Sequence, residues 1–211
     1  MQFKMAFFSN SNIMATKHKT FQFTGRWLNS LGEPPVCGSW MIYGGSGSGK
    51  TSFALQLAKY MTNFDRVLYW SLEQGNSPSF QRAWKREKMK DCGTDIIVAD
   101  ENTTFEMIEK AMCQRKGRGI LIIDSLTPLK GLSFNIIQYE RFRKKMKDKL
   151  LVWISHEKNG IPDANVGDYI LKLADIKMRA EGFKIFINTR SGERLEDFVI
   201  WEHGAREYFG G

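Results

Sequence analysis

The stretch GGSGSGKT at residues 44–51 constrains this chain more than any other feature. It follows the apolar run SWMIY (39–43) and leads into TSFALQLAKYM (51–61), where apolar residues recur at helical spacing. A flexible linker is not normally placed between a strand and an amphipathic helix. The pattern G-x-x-x-x-G-K-T in this setting predicts a phosphate-binding loop.

The residues of this loop suit the chemistry of a bound triphosphate. Glycines reach positive φ and carry no Cβ, so successive backbone N–H groups can surround a phosphate. We expect Lys50 to meet the β and γ phosphates, the Thr51 hydroxyl to bind Mg²⁺, and the helix N-terminus to add partial positive charge. The predicted nucleotide-binding residues are Gly44, Gly45, Ser46, Gly47, Ser48, Gly49, Lys50, Thr51 and Ser52.

Two carboxylates follow other candidate strands. Asp124 ends the apolar run GILIID (119–124), where it can reach a magnesium ion at the edge of the sheet that carries the loop. The alternative is an aspartate that caps a turn before Pro128. Glu73 comes just after RVLYWS (66–71) and is the best candidate to orient an attacking water. The alternative for Glu73 is a solvated charge in a loop.

Short apolar runs alternate with longer amphipathic ones along the chain. This alternation predicts an α/β fold with a mostly parallel twisted sheet flanked by helices. The last two candidate strands are separated only by SGERLE, which indicates an antiparallel hairpin at the C-terminal end. The candidate strands are 39–44, 66–71, 95–99, 119–124, 149–155, 183–189 and 197–202, and the candidate helices are 51–61, 77–90, 134–148 and one beginning with a capping box of Thr103 and Glu106.

Length and composition bound the remaining possibilities. A chain of 211 residues is the size of one domain, so we expect a flexible tail over 1–20 and one domain over 21–211. No apolar run approaches the roughly 20 residues that a membrane span needs. The three cysteines are widely spaced and form no C-x-x-C pair, which argues against disulfides and zinc and favours the reducing cytoplasm.

The chain is basic, with a formal net charge of +8. Part of this charge is concentrated in RAWKREKMK (82–90) and RFRKKMKDK (141–149). Such clusters favour a polyanionic partner, and nucleic acid is the obvious class. The alternative is that each run is the solvated face of a helix.

Four segments together resemble the RecA-like P-loop ATPase family, most closely the core shared by DnaB-type helicases and RadA-type recombinases. They are the loop GGSGSGKT, the strand VLYWSLEQ that ends in S-L-E, the Walker B-like ILIIDSL, and LVWISHEKNG. FINTRSGERLEDFVIW is similar to the C-terminal hairpin of the helicases. The resemblance covers roughly residues 20–209 and lacks the further domains of both groups, so the chain looks like a bare motor core.

The resemblance implies particular roles for individual residues. Glu73 falls on the family's catalytic base, and His156 falls on the residue that senses the γ-phosphate, although a histidine at a strand end can also be a plain hydrogen-bonding residue. Arg190 matches an arginine finger that acts on the neighbouring subunit's nucleotide, but Asn188 stands where lysine is usual. A surface arginine is the alternative there. The implied ligands are ATP and Mg²⁺, and the implied assembly is a ring or filament of identical subunits.

The family also implies a DNA surface in the loops at 125–135 and 156–168. The candidate contacts to single-stranded DNA are Lys130, Lys158 and Asn159, with Arg141, Arg143, Lys144 and Lys145 of the basic run beside them. We therefore expect a DNA-dependent ATPase of recombination, repair or replication. The alternative is a KaiC-like regulatory ATPase that controls protein partners without DNA. A metabolic kinase is less favoured, because no lid arginines or acceptor pocket are recognisable.

Overall fold

The computed structural model describes residues 7–115, 117–129, 134–163, 165–193 and 195–210. Within these ranges the chain forms eight α-helices and nine strands. The helices are α1 (Asn10–Ala15), α2 (Gly25–Leu31), α3 (Lys50–Met61), α4 (Pro78–Arg86), α5 (Phe105–Cys113), α6 (Ile136–Lys145), α7 (Asn165–Leu173) and α8 (Glu202–Phe209). The strands are β1 (Gly38–Gly44), β2 (Val67–Ser71), β3 (Ile96–Ala99), β4 (Ile120–Asp124), β5 (Leu150–Lys158), β6 (Ile161–Pro162), β7 (Ile176–Glu181), β8 (Lys184–Thr189) and β9 (Phe198–Val199).

The strands form one sheet in the order β3-β2-β4-β5-β1-β7-β8-β9, and β6 pairs with β5. Every pair from β3 to β7 along this order is parallel, whereas β7-β8 and β8-β9 are antiparallel. The predictions of a mostly parallel sheet and of antiparallel strands at the C-terminal end are confirmed. Because neighbouring strands run the same way, the carboxyl ends of β1, β2, β4 and β5 meet at one edge, which we call the carboxyl edge.

Helices cover both faces of the sheet. On one face, α2, α3 and α4 pack against side chains such as Trp40 and Ile42 of β1, and we call this the α3 face. On the other face, Tyr139 and Phe142 of α6 make edge-on ring contacts with Trp153 of β5. Burial on both faces explains why these strands are apolar at consecutive positions.

The structure differs from the sequence-based predictions in several places. The N-cap of α5 is Thr104, whose hydroxyl accepts the Met107 N–H, and not Thr103. The candidate strand at 197–202 is a strand only at Phe198–Val199, because Trp201 already caps α8. The strand β7 was not predicted, since its buried residues alternate with half-buried polar ones and it contains no continuous apolar run.

The segment before the sheet carries one short helix. Residues 7–19 are all exposed, and α1 lies within them with Ser9 as its N-cap. Among the residues that the structure describes, Phe21 is the first that belongs to the core. The boundary between tail and domain at residue 20 stays a prediction. In the described ranges, no helix has the length and apolar character that crossing a bilayer requires.

Candidate active site

The glycine loop connects the end of β1 to the start of α3 in a turn that needs glycine at specific positions. Gly47 and Gly49 have φ of 75° and 98°, values that side chains disfavour. A Cβ at Gly49 would lie 2.9 Å from Cδ1 of Ile200, and one at Gly44 would lie 2.2 Å from the carbonyl oxygen of Ala180. The loop is therefore packed closely against the C-terminal strands and leads directly into the N-terminus of α3.

Lys50, the first residue of α3, folds back over this loop. Its Nζ donates hydrogen bonds to the carbonyl oxygens of Gly44 (2.9 Å) and Gly45 (2.6 Å), and only 8% of the residue is exposed. Burial lowers the pKa of Lys50, and the nearby Asp124 and Glu73 carboxylates counteract this effect. The ammonium thus sits inside the loop, close to both carboxylates that were predicted to join it.

Thr51 and Ser52 complete the first turn of α3 and are half-buried. The Ser52 hydroxyl accepts a hydrogen bond of 2.6 Å from Nη2 of Arg86, the last residue of α4. Ser48 donates to the carbonyl oxygen of Gly45 at 2.8 Å. The predicted nucleotide-binding residues 44–52 therefore form one continuous turn at the carboxyl edge.

Asp124 ends β4 and is 5% exposed. The hydroxyl of Tyr69 on β2 donates to its Oδ2 at 2.5 Å. Burial raises the pKa of Asp124 to about 6, and the Tyr69 hydrogen bond limits the rise. The carboxylate is thus held in a buried position, where the nearby Lys50 ammonium offsets only part of the cost of burying its charge.

Glu73 lies just beyond β2 and is held by residues from two other strands. Ser125 donates to its Oε2 at 2.7 Å, and Nε2 of His156 lies 3.0 Å from both carboxylate oxygens. Burial is the largest single influence and raises the pKa of Glu73, but the hydrogen bonds from Ser125 and His156 together bring it below its ordinary value. Glu73 is therefore kept ionised, as a group that accepts a proton must be.

The strand ends are also joined through their backbones. The N–H groups of Leu72 and Glu73 both donate to the carbonyl oxygen of Asp124, at 2.7 and 3.2 Å. Because side chains alternate along a strand, Tyr69, Asp124 and His156 fall on the α3 face with the loop. The structure thus brings Lys50, Glu73, Asp124 and His156 together from the ends of four different strands.

The residues present at this edge fit a magnesium ion. Magnesium is usually held by one or two protein oxygens together with substrate phosphates and water. Thr51 and Asp124 provide a hydroxyl and a carboxylate beside the loop, and the buried Ser71 hydroxyl on the adjacent strand has no hydrogen-bond partner in the part of the chain that the structure describes. In that same part, no three His, Cys, Asp or Glu side chains cluster as a set of metal ligands.

Arg190 lies at the other edge of the sheet. Thr189 pairs with Ile176, which pairs with Trp40 near the start of β1. Arg190 lies one residue beyond the level of Trp40, so five residues along the strand separate it from the level of Gly44. At about 3.3 Å for each residue, this distance is roughly 16 Å. Its side chain is 66% exposed, and its Nη1 lies 3.8 Å from Oδ1 of Asp175. Within one subunit, Arg190 is not brought to the site.

Two of the candidate DNA contacts lie at the carboxyl edge. Lys158 and Asn159 are at the turn between β5 and β6, and Asn159 adopts a φ of 55°. This turn and the start of α6 line a groove, and the apolar residues Ile136, Ile137 and Ile161 beside it are 41%, 80% and 50% exposed. The groove thus combines an apolar surface with one lysine and two aspartates, Asp163 and Asp168.

The basic residues of α6 are divided between two situations. Arg143 pairs with Glu140 at 3.0 Å, and Lys145 pairs with Glu109 of α5. Arg141 and Lys144 remain on an exposed face with Ile137. Since α6 connects the end of β4 to the start of β5, these residues lie progressively farther from Lys158. Lys130 lies outside the described residues.

Two residues that support the site were not predicted from the sequence. Tyr69 lies in the middle of an apolar strand, where the pattern predicts a residue that only packs in the core. Ser125 directly follows Asp124, and this adjacency is the only signal that could have identified it.

On the opposite face of the same edge, Arg179 forms a bidentate pair with Glu157 at 3.0 Å and a second ion pair with Glu181 at 2.7 Å.

Comparison with known proteins places this site in a known fold. No family model matches the chain, and no curated protein matches it. Among solved structures, the flagellar accessory protein FlaH from Methanocaldococcus jannaschii is similar, with a TM-score of 0.61 at 16% identity over 86% of this chain and 93% of that one. The KaiC-like protein PH0186 from Pyrococcus horikoshii OT3 gives 0.59 at 16% identity over 86% and 93%.

A third similar structure is the ATPase domain of a helicase, with a TM-score of 0.52 and 18% identity over 76% of this chain and 79% of that one. All three are RecA-like P-loop ATPases. At these identities the likeness concerns the fold alone. The chain has the fold of the RecA-like P-loop ATPases.

Proposed function

We propose that this protein binds ATP with Mg²⁺ and hydrolyses it, with Glu73 as the general base. The observation that carries the proposal is the meeting of Glu73 and Asp124 with Lys50 beside the glycine loop. A cation and two carboxylates with different pKa shifts in one place are characteristic of a site that combines binding with proton transfer.

The roles of the residues follow from their contacts. The loop amides and Lys50 bind the β and γ phosphates, and Thr51 and Asp124 hold the magnesium ion. Glu73 accepts a proton from the attacking water at a carboxylate oxygen, while Ser125 and His156 keep that carboxylate oriented. Magnesium, when bound, neutralises charge on the phosphate oxygens. Because His156 touches Glu73, a movement of His156 toward a γ-phosphate would alter the position of the base.

We also propose that the site is completed by a second copy of the chain. Arg190 is exposed and roughly 16 Å from the level of its own loop, so its role is at the nucleotide of a neighbouring subunit. A guanidinium supplied by a neighbour would stabilise the charge that develops on the transferred phosphoryl group. Nucleotide would then lie at the boundary between subunits of a ring or filament.

For the partner, we propose single-stranded DNA in recombination, repair or replication. We place the protein in the reducing cytoplasm, because its three cysteines are free thiols. The net charge of +8, with Lys158 and Asn159 at the carboxyl edge, supports a polyanion near the catalytic residues. Asp163 and Asp168 line the same groove and oppose a phosphate backbone there, so the DNA would have to follow the lysine side. The internal ion pairs of Arg143 and Lys145 leave Arg141 and Lys144 as the contributors from α6. Affinity for each subunit is therefore expected to be modest and strongly dependent on salt.

A regulatory ATPase with protein partners is the second candidate. It is favoured by the exposed isoleucines around the same groove, because apolar side chains contribute little to a phosphate backbone and fit a protein surface better. In this case nucleotide state would alter the groove through the β5 strand, which carries His156 and Lys158.

One pair of assays separates these candidates. ATP turnover is measured in Mg²⁺ with and without single-stranded DNA, and DNA binding is measured at two salt concentrations. The proposal predicts Mg²⁺-dependent turnover that DNA stimulates, with binding that weakens as salt rises. Turnover without DNA binding or stimulation favours the regulatory candidate, and absence of ATP binding refutes both.

A further inference from the structure

Two hydroxyl groups of β2 face the site from the α3 face of the sheet. Val67 and Tyr69 lie in the core shared with α3, whereas Leu68 and Trp70 lie in the core on the opposite face. Alternation along the strand therefore puts Ser71 on the α3 face with Tyr69. Ser71 is also paired in register with Asp124 on the neighbouring strand.

The first hydroxyl has a defined partner. Tyr69 is fully buried, and its ring packs against Phe80 of α4 with the ring centres 5.7 Å apart. Packing alone would be served equally by phenylalanine. The hydroxyl reaches beyond the packed ring to Oδ2 of Asp124 at 2.5 Å, so one carboxylate oxygen is held by the protein.

The second hydroxyl lacks a partner. Ser71 is 1% exposed, and its Oγ makes no hydrogen bond to any group in the described ranges. Buried polar groups are nearly always hydrogen-bonded, and an exception at a site points to a bound ligand or water that completes it. Alanine or valine would avoid this cost in a strand that is otherwise apolar.

We propose that Tyr69 and Ser71 form a hydroxyl pair that positions Asp124 and the water around a magnesium ion. Tyr69 fixes the orientation of the carboxylate, and Ser71 supplies a hydrogen bond to water beside it. Hydrogen-bonding groups behind a metal ligand orient that ligand, and their loss typically lowers metal affinity by about 10- to 100-fold. The inference rests on the proposed function, because it assigns Asp124 to magnesium.

Tyr69→Phe and Ser71→Ala test the pair, since each removes a hydroxyl and little else. The structure offers a matched control at the other edge of the sheet, where the buried hydroxyls of Ser39 and Tyr139 lie 3.5 Å apart. Tyr139→Phe and Ser39→Ala remove the same atoms there. Thermal unfolding of all four variants establishes that they are folded.

The measurement is the affinity for a fluorescent ATP analogue, in EDTA and across a magnesium titration, without reference to turnover. Tyr69→Phe is expected to raise the half-saturating magnesium concentration by about 10-fold or more, and Ser71→Ala by a few-fold. Affinity in EDTA is expected to stay within about 2-fold of wild type, since neither hydroxyl contacts the loop that binds phosphate. Both control variants are expected to titrate like wild type.

Three outcomes would overturn the inference. If folded Tyr69→Phe and Ser71→Ala titrate like wild type, the pair has no role in magnesium binding, although the proposed function stands. If the control variants change by the same factor, or if affinity in EDTA falls equally, the effect is structural. If wild-type affinity for the analogue does not respond to magnesium, the inference and the proposed function are both wrong.

Discussion

The two edges of the parallel strands satisfy their polar groups to different degrees. At the opposite edge, where the parallel strands begin and which we call the amino edge, Asp175 accepts the Ser39 N–H at 2.9 Å and lies 3.8 Å from the exposed Arg190. At the carboxyl edge, Asp124 is buried with a pKa of about 6, and Ser71 has no partner among the described residues. At the amino edge these polar groups are paired within the protein, whereas the carboxyl edge retains polar groups that a ligand would satisfy.

This difference explains why the same kinds of residue have different meanings at the two edges. A functional site commonly costs stability, because its groups are arranged for a ligand and not for the isolated protein. Substitutions at the carboxyl edge are therefore expected to affect ligand binding and catalysis and in some cases to stabilise the fold. Substitutions at the amino edge are expected to leave ligand binding and catalysis unchanged. Arg190 is the exception.

Arg190→Ala is expected to give a large loss of turnover and tests whether the amino edge of one subunit contributes to the carboxyl edge of another. If Arg190 acts on a neighbour's nucleotide, turnover falls by about 1,000-fold while ATP binding is retained. Mixing this variant with Lys50→Ala should restore part of the activity, because some interfaces then combine an intact loop with an intact arginine. The assay is ATP turnover of the separate and mixed variants.

The control for this experiment is the free energy of unfolding of Arg190→Ala compared with wild type. The pair between Arg190 and Asp175 is exposed and 3.8 Å apart, so its loss is expected to change the free energy of unfolding by less than about 1 kcal/mol. Activity that falls only in proportion to folded protein, or mixtures no more active than their components, would remove Arg190 from the mechanism.

Lys50→Ala is expected to weaken nucleotide binding by about 100-fold or more, since a charged hydrogen bond to phosphate is lost. Lys177→Ala is the matched control. Lys177 lies on β7, where it pairs with Met41 of β1 before the loop begins, so this variant should bind like wild type. The affinity of each variant for the fluorescent ATP analogue provides the check. Equal affinities for Lys50→Ala and wild type would show that the loop does not hold the phosphates.

Asp124→Asn is expected to stabilise the metal-free protein at neutral pH. The pKa of Asp124 rises from 3.8 to about 6 on folding, so the ionised carboxylate destabilises the fold fully above pH 6. The difference of about 2 pKa units corresponds to at most about 3 kcal/mol. The gain should be present at pH 8, shrink as the pH falls through 6, and become small near pH 4.

Urea denaturation of both proteins in EDTA, without nucleotide, measures this gain. Asparagine retains an oxygen that can accept the Tyr69 hydroxyl, so the substitution mainly removes the charge. A gain that is the same at pH 4 and pH 8 would mean that ionisation of Asp124 is not its source, and a loss at pH 8 would contradict the unsatisfied character of the carboxyl edge.

The parts of the molecule that the sequence predicted well are those with local signals. The loop, β1 and α3 follow from one continuous motif, and the buried strands follow from consecutive apolar residues. The strand β7 lacked such a signal because its buried positions alternate with Lys177 and Arg179. The second antiparallel pairing, between β7 and β8, was missed for the same reason.

The interactions that complete the site depend on long-range contacts. His156 and Glu73 are 83 residues apart, and Tyr69 and Asp124 are 55 residues apart. No local pattern records such a contact. Glu73 was proposed from its position just after a candidate strand and then supported by the family resemblance, whereas His156 was identified through the resemblance alone. Tyr69 could not be distinguished from a core aromatic, since its ring does pack in the core and only its hydroxyl enters the site.

The most direct test compares Glu73→Gln with wild type for ATP binding and ATP turnover in the same magnesium buffer. Glutamine keeps the size of the side chain but cannot take a proton from water. The prediction is that binding stays within a few-fold of wild type while turnover falls by about two to four orders of magnitude. Unchanged turnover in a variant that binds ATP normally would contradict the assignment of Glu73 as the catalytic base.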